Sequence, residues 1–247
     1  MLLFLITSLL AAEPAVPDAG IQQVVATIDR VARENSARPA KERATGDALA
    51  DLYIRSACQS GLPARTIVLG IAYALDPTGS IAANPFSSAY FKDVESTEAR
   101  KARWATMGKP TLRGREDWLS HFVVSAGLAV AVGEPGAEFF GIQKEISDAV
   151  GKEKGKGSGF SFTDLNADLG GIAFARWLTG SDSKSALAEA GKRFMGGNFL
   201  PDPKGLPDGL TWSSFETNWG GLKDARFQAE CERLRKRAAE CAGYTGK

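Results

Sequence analysis

Apolar side chains recur at helical spacing along most of the chain. In residues 21–35, Ile21, Val24, Val25, Ile28, Val31 and Ala32 share one face, the i, i+3, i+4, i+7 signature of an amphipathic helix. Arg38-Pro39 interrupts the pattern, which resumes over 41–59 with Leu49, Leu52, Tyr53 and Ser56 or Ala57. Gly61-Leu62-Pro63 is a turn whose proline suits a first helical turn. Residues 64–75 are apolar almost all round and predict a buried helix. Residues 80–115 are less regular, with a charged helix predicted over 95–107. A strong apolar helix follows over 116–132, then a tight turn at Gly133–Gly136, a helix over 136–150 and a Gly/Lys loop over 151–159. Further helices are predicted over 161–178, 184–195 and 221–241, with an ordered Gly/Pro-rich loop at 196–212. Hardly any segment alternates with the period of two that marks a half-buried strand. The expected fold class is therefore all-α, a single compact helical domain with irregular loops.

The two ends refine the organisation. Residues 1–12 are a short uncharged apolar run followed by Glu13-Pro14-Ala15-Val16-Pro17, the length of a signal-peptide core and too short to span a bilayer. The chain divides into a signal peptide at 1–12, a linker and tether helix at 13–40, and a helical domain at 41–247 with a core motif region at 115–178. A periplasmic or secreted location is the expectation. No cysteine follows the apolar run, so a lipid anchor is not supported. Trp118 to Val132 is fifteen residues without formal charge, short of the ~20 needed for a crossing. No transmembrane span is expected in the mature chain.

Charge and cysteines exclude several classes. Lys and Arg number 30 against 29 Asp and Glu, so no global field draws nucleic acid. The basic run Arg233, Arg235, Lys236, Arg237 is interleaved with Glu230, Glu232 and Glu240 and reads as a solvated helix face. Cys231 and Cys241 would lie ~15 Å apart on one helix, beyond the ~7 Å reach of a disulfide. A bridge from Cys58 to one of them and three buried reduced thiols both stay open. Their spacing does not resemble a zinc site. One histidine in 247 residues excludes any mechanism needing two. No phosphate loop, dinucleotide fingerprint or nucleophile elbow is present.

Candidate chemistry concentrates between residues 117 and 168. Asp117, His121 and Ser125 stand at i, i+4, i+8 in an otherwise apolar helix and share a face. Glu145 and Asp148 follow at i, i+3, with Gly141 and Ala137 above them. Asp164 and Asp168 follow at i, i+4, with Gly171 and Ala175 beyond. Small residues let helices approach closely and carry the neighbouring acids into the interface. Buried carboxylates require compensation, by a divalent metal, by Lys144 or Arg176, or by proton sharing that makes one carboxyl a general acid. The metal reading takes His121, Glu145, Asp148, Asp164 and Asp168 as ligands. The acid–base reading has Asp117 orienting His121 as base, with Glu145 as a further catalytic group. Bland readings stand beside these. Asp164 completes a capping box opened by Ser161, Asp117 suits a helix first turn, and Glu145 and Asp148 face water beside Lys144 and Lys152. The Trp212, Phe215, Trp219 cluster is either a ligand platform or a cover for the core edge.

The order Asp117-x-x-x-His121-Phe122, Lys144-Glu145-x-x-Asp148, Phe160-Ser161-x-x-Asp164-Leu165-x-x-Asp168-x-x-Gly171 resembles the YfiM-type predicted periplasmic lipoprotein family. It is more loosely similar to the VanZ-like envelope proteins. The resemblance covers residues 115–178, about a quarter of the chain, and implies an envelope location and a shared helical core. It departs from the family in lacking the lipoprotein cysteine and in having Trp118 after Asp117. The functional expectation is an exported envelope protein carrying out metal-assisted or acid–base hydrolysis, associated with the envelope or peptidoglycan. The alternative is a non-catalytic scaffold in which the polar cluster fixes helix register.

Overall fold

The longest helices form where the apolar stripes are most continuous. A computed structural model describes residues 19–245; the signal peptide expected at 1–12 lies outside them. The described residues hold twelve α-helices and no strand. They are α1 Ala19–Ala37, α2 Gly46–Cys58, α3 Ala64–Leu75, α4 Ser80–Ala83, α5 Thr97–Trp104 and α6 Glu116–Val132. The second half adds α7 Glu134–Glu153, α8 Phe162–Thr179, α9 Ser183–Arg193, α10 Trp212–Trp219, α11 Ala225–Ala239 and α12 Ala242–Thr245. The all-α expectation holds. Among the described residues no helix is long and apolar enough to cross a membrane.

The centre of the structure is α8, in which every residue from Phe162 to Ala175 is buried. One side joins a core built from α1, α2, α3 and α6 with Phe174, Phe194 and Phe199. The other joins a second core of Leu165, Phe160, Phe162, Phe215 and Phe227. A helix surrounded on both sides must satisfy any polar side chain it carries from within the protein, which is why its two aspartates matter. Close approach of α6 to α8 depends on Gly171, where a Cβ would collide with the Phe122 carbonyl.

One sequence expectation changes here, and two open readings are decided. The segment set apart as a tether is a core helix: Ile21, Val24, Ile28 and Ala32 of α1 are fully buried. Its apolar stripe packs on α3, where Gly70 leaves room for Val24. Residues 212–219 continue the predicted loop as a helix, and Phe215 stacks on Phe160 at 4.4 Å in the second core. The aromatic cluster is thus a cover for the core edge. All three cysteines are free and buried, Cys58 in one core and Cys231 in the other, so no bridge forms between them. Burial pushes both thiols up to about 12, far from reactive thiolates.

The approach to α8 is tied down on both sides. Phe160 and Leu210 exchange backbone hydrogen bonds of 2.7 and 2.9 Å, which pins the Gly/Pro-rich loop against the helix start. Gly133, at φ +82°, separates α6 from α7, and Pro135 enters the first turn of α7. Through these two turns α6, α7 and α8 come to lie side by side.

Candidate functional site

The site grows from the first turn of α8. Ser161 is the N-cap, and its Oγ accepts from the Asp164 N–H at 3.0 Å. In a closed capping box the third residue would return the bond to the cap N–H. Here the Ser161 N–H donates instead to Glu145 Oε2 on α7, at 2.9 Å. The Asp164 carboxylate is thereby released from capping and turns toward α6.

His121 of α6 meets it. Its Nδ1 lies 3.0 Å from Asp168 Oδ1, and its Nε2 lies 3.6 Å from Asp164 Oδ2. Ser125 Oγ donates to the same Asp168 oxygen at 2.7 Å. Room for Asp168 is made by Gly141, whose Cβ would lie 2.6 Å from Asp168 Oδ2. Ligand atoms of His121, Glu145 and Asp164 all fall within 4.8 Å of one another. Glu145 is fully buried, and Asp164 and Asp168 nearly so.

Three buried carboxylate oxygens in this cluster have no hydrogen-bond partner: Glu145 Oε1, Asp164 Oδ1 and Asp168 Oδ2. Such atoms are costly to leave unsatisfied. Their charges answer one another. Burial lowers the His121 pKa, but Asp168, Asp164 and Glu145 outweigh it and raise it to about 9. Burial, reinforced by Asp164 and Asp168 and opposed by His121, pushes Glu145 up to about 8. Asp164 is also pushed up, chiefly by burial. Crowded acids that hold protons this tightly are what a divalent cation relieves.

Not every sequence candidate joins. Asp117 does not orient His121, because Arg115 takes its carboxylate as a two-point partner and lowers its pKa from the ordinary carboxylate value; Asp168 does the orienting. Asp148 turns outward, bound to Lys144 at 2.6 Å and to Ser158 at 3.0 Å. Arg176 pairs with Glu134 at 3.2 Å and does not neutralise the cluster, whereas Lys144 Nζ reaches to 3.8 Å from Glu145. Sequence reasoning passed over Arg115 and Asp208. Arg115 lies 3.3 Å from Asp208 and 3.9 Å from Asp164, so it closes one flank of the site. The available signal was a cation immediately before the acidic first turn of α6.

The cluster lies beneath a cleft of about 520 Å³. His121, Ser125, Asp168 and Lys144 reach its surface, and Val124, Leu128 and Phe140 form its apolar wall. Glu145 and Asp164 sit behind them. No protein-family model, curated protein or solved structure matches the chain.

Proposed function

We propose that His121, Glu145 and Asp164 bind one divalent cation, and that the protein is an exported, metal-dependent hydrolase of the cell envelope. The observation that carries this reading is the grouping of Glu145 and Asp164, each with a buried oxygen that has no hydrogen-bond partner, around a histidine whose other nitrogen is held by a carboxylate. Metal-ligating histidines characteristically donate their second N–H in this way. Asp168 fixes the His121 tautomer, so that Nε2 presents its lone pair toward Glu145 and Asp164. Asp168 is thus an orienting residue, and Asp148 is no ligand.

One nitrogen and two carboxylates suit Zn²⁺ or Mn²⁺. Three protein ligands would leave room for water or substrate, as in catalytic rather than structural sites. A cation held by His121, Glu145 and Asp164 would supply Lewis-acid activation of a water and of an ester or amide oxygen. Export rests on the apolar run at 1–12 and on the similarity of residues 115–178 to the YfiM-type family.

A proton shared within the cluster is the competing arrangement, and the raised Glu145 pKa favours it. Retention of added metal distinguishes the two arrangements. Elemental analysis after reconstitution with Zn²⁺ or Mn²⁺ is expected to give one equivalent of metal. Saturating metal is expected to raise the melting midpoint by roughly 5–10 °C over a chelator-treated sample. Retention of neither metal, with His121→Ala merely lowering the midpoint, would assign the cluster to helix register in a non-catalytic protein.

A further inference from the structure

Many of the polar groups that line the cleft are already spent on neighbours, and what they have left decides what they can bind. Thr78 and Ser80, at the turn from α3 into α4, both line it. Each hydroxyl donates to the buried carboxylate of Asp76, at 2.6 and 3.0 Å. Ser125 donates to Asp168 at 2.7 Å. A hydroxyl that has given its one proton has only lone pairs to offer. Glu116, Asp117 and Asp168 also line the cleft, and ionised carboxylates are acceptors alone. Donors are fewer: the Asn84 amide and the Lys144 ammonium, with the Ser120 hydroxyl able to act either way. The lining is therefore rich in acceptors and calls for a ligand rich in donors.

Charge narrows the class. Glu116 has Lys109 at 3.8 Å, Asp117 has Arg115, and Asp168 has His121 at 3.0 Å. Lys144 in turn holds Asp148 at 2.6 Å. Each charged group of the lining thus has a partner already, and neither an ammonium nor a carboxylate ligand meets an unanswered charge. Hydroxyl groups donate without carrying charge. We propose that the cleft seats a neutral, hydroxyl-rich ligand, a short saccharide. Its hydroxyls donate to Glu116 and to the oxygens of Thr78, Ser80 and Ser120, and the C–H groups of a ring pack on the apolar wall formed by Val124, Leu128 and Phe140. That this ligand is also the substrate rests on the metal-site reading; its seat does not.

Calorimetric titration of the full chain with tri-N-acetylchitotriose, cellotriose and maltotriose, with and without added Zn²⁺, tests the inference. At least one of the three is expected to bind, and its affinity should stay within about a factor of two between about 50 and 500 mM salt, since a neutral ligand has no charge to screen. Unacetylated chitotriose, which carries ammonium groups, and the anion decanoate are expected to bind more weakly. The joint substitution Glu116→Ala with Ser120→Ala is expected to weaken the bound trisaccharide at least about fivefold through lost hydrogen bonds. Glu116→Gln, which keeps an acceptor oxygen and removes the charge, should weaken it less than Glu116→Ala. Neither side chain is buried, and melting midpoints check that each variant folds. Binding that persists without metal supports the seat even if the cation site fails. Binding of none of the three, tighter binding of unacetylated chitotriose or of decanoate, or indifference to the paired substitution would overturn it.

Discussion

Ser161 opens α8 by donating its backbone N–H to Glu145, a carboxylate from the neighbouring helix, at 2.9 Å. The bond does two things at once. It satisfies an otherwise orphaned helix-end donor, and it fixes Glu145 with its second oxygen turned into the cluster. The two roles separate by substitution. Glu145→Gln keeps an acceptor for Ser161 and removes the charge. The metal-free midpoint should be unchanged or higher, while metal affinity falls at least tenfold. Glu145→Ala removes both and should also lower the metal-free midpoint, reflecting a cost of about 1–3 kcal/mol for the unsatisfied N–H. Equal metal affinity in wild type and Glu145→Gln would remove Glu145 from the ligand set.

Asp117 lies one helical turn from His121 in the sequence and Asp168 meets it only in the fold, and they should differ sharply in effect. Asp168→Asn leaves the imidazole free to turn and exposes Ser125 to a changed partner. A drop of 10–100-fold in metal affinity is expected, the usual cost of losing an orienting carboxylate. Asp117→Asn breaks only the half-exposed pair with Arg115, and metal affinity should stay within a factor of two or so of wild type, given the small worth of exposed pairs. Titration of both variants with Zn²⁺ reads the contrast; the reverse order would restore Asp117 as the partner of His121.

How far the sequence carried the structure depended on the length of each pattern. The helices with long apolar stripes were legible because periodicity accumulates over several turns. The eight residues of α10, set behind a Gly/Pro-rich loop, offer too few turns for that signal. The stripe of α1 predicted a helix but not what it packs against, and so it read as a tether. Within the site, small residues beside acids identified the right three segments. Choosing among the acids needed the partners. Glu145 and Asp148 are three residues apart on similar faces, and only Lys144 and Ser158 on one side against Ser161 on the other decide which turns inward. Likewise Arg115 draws Asp117 away, a competition invisible to spacing.

The metal-free protein should lose stability as pH rises. His121 has a folded pKa of about 9 against an ordinary value of 6.5, and Glu145 about 8 against 4.5. Both are raised, so each contributes stability that is complete below its unfolded value and lost as pH climbs through its folded value. The combined window runs from about pH 4.5 to 9. Bound metal displaces these protons, so the gap between metal-loaded and chelator-treated midpoints should widen from pH 6 to 9. Melts across that range check it. A chelator-treated midpoint that is flat or rising, or one with the same slope in His121→Gln, would contradict the protonation scheme.

Two glycines should separate packing from chemistry. Gly171→Ala sets a methyl group against the backbone carbonyl of Phe122. A main chain in the middle of α6 cannot step aside, so the two central helices must part. Overpacking of this kind costs about 1–3 kcal/mol or more, and a clear fall in midpoint is expected whether or not metal is present. Gly141→Ala instead sets its methyl 2.6 Å from Asp168 Oδ2, an atom at the end of a side chain. Asp168 can yield by rotating, but only by disturbing its bonds to His121 and Ser125. Stability should change less than in Gly171→Ala, and metal affinity should change more. Parallel melts and Zn²⁺ titrations of the two variants decide the matter. Equal losses of affinity in both, scaled to their losses of stability, would mean that the space at Gly141 serves helix contact alone.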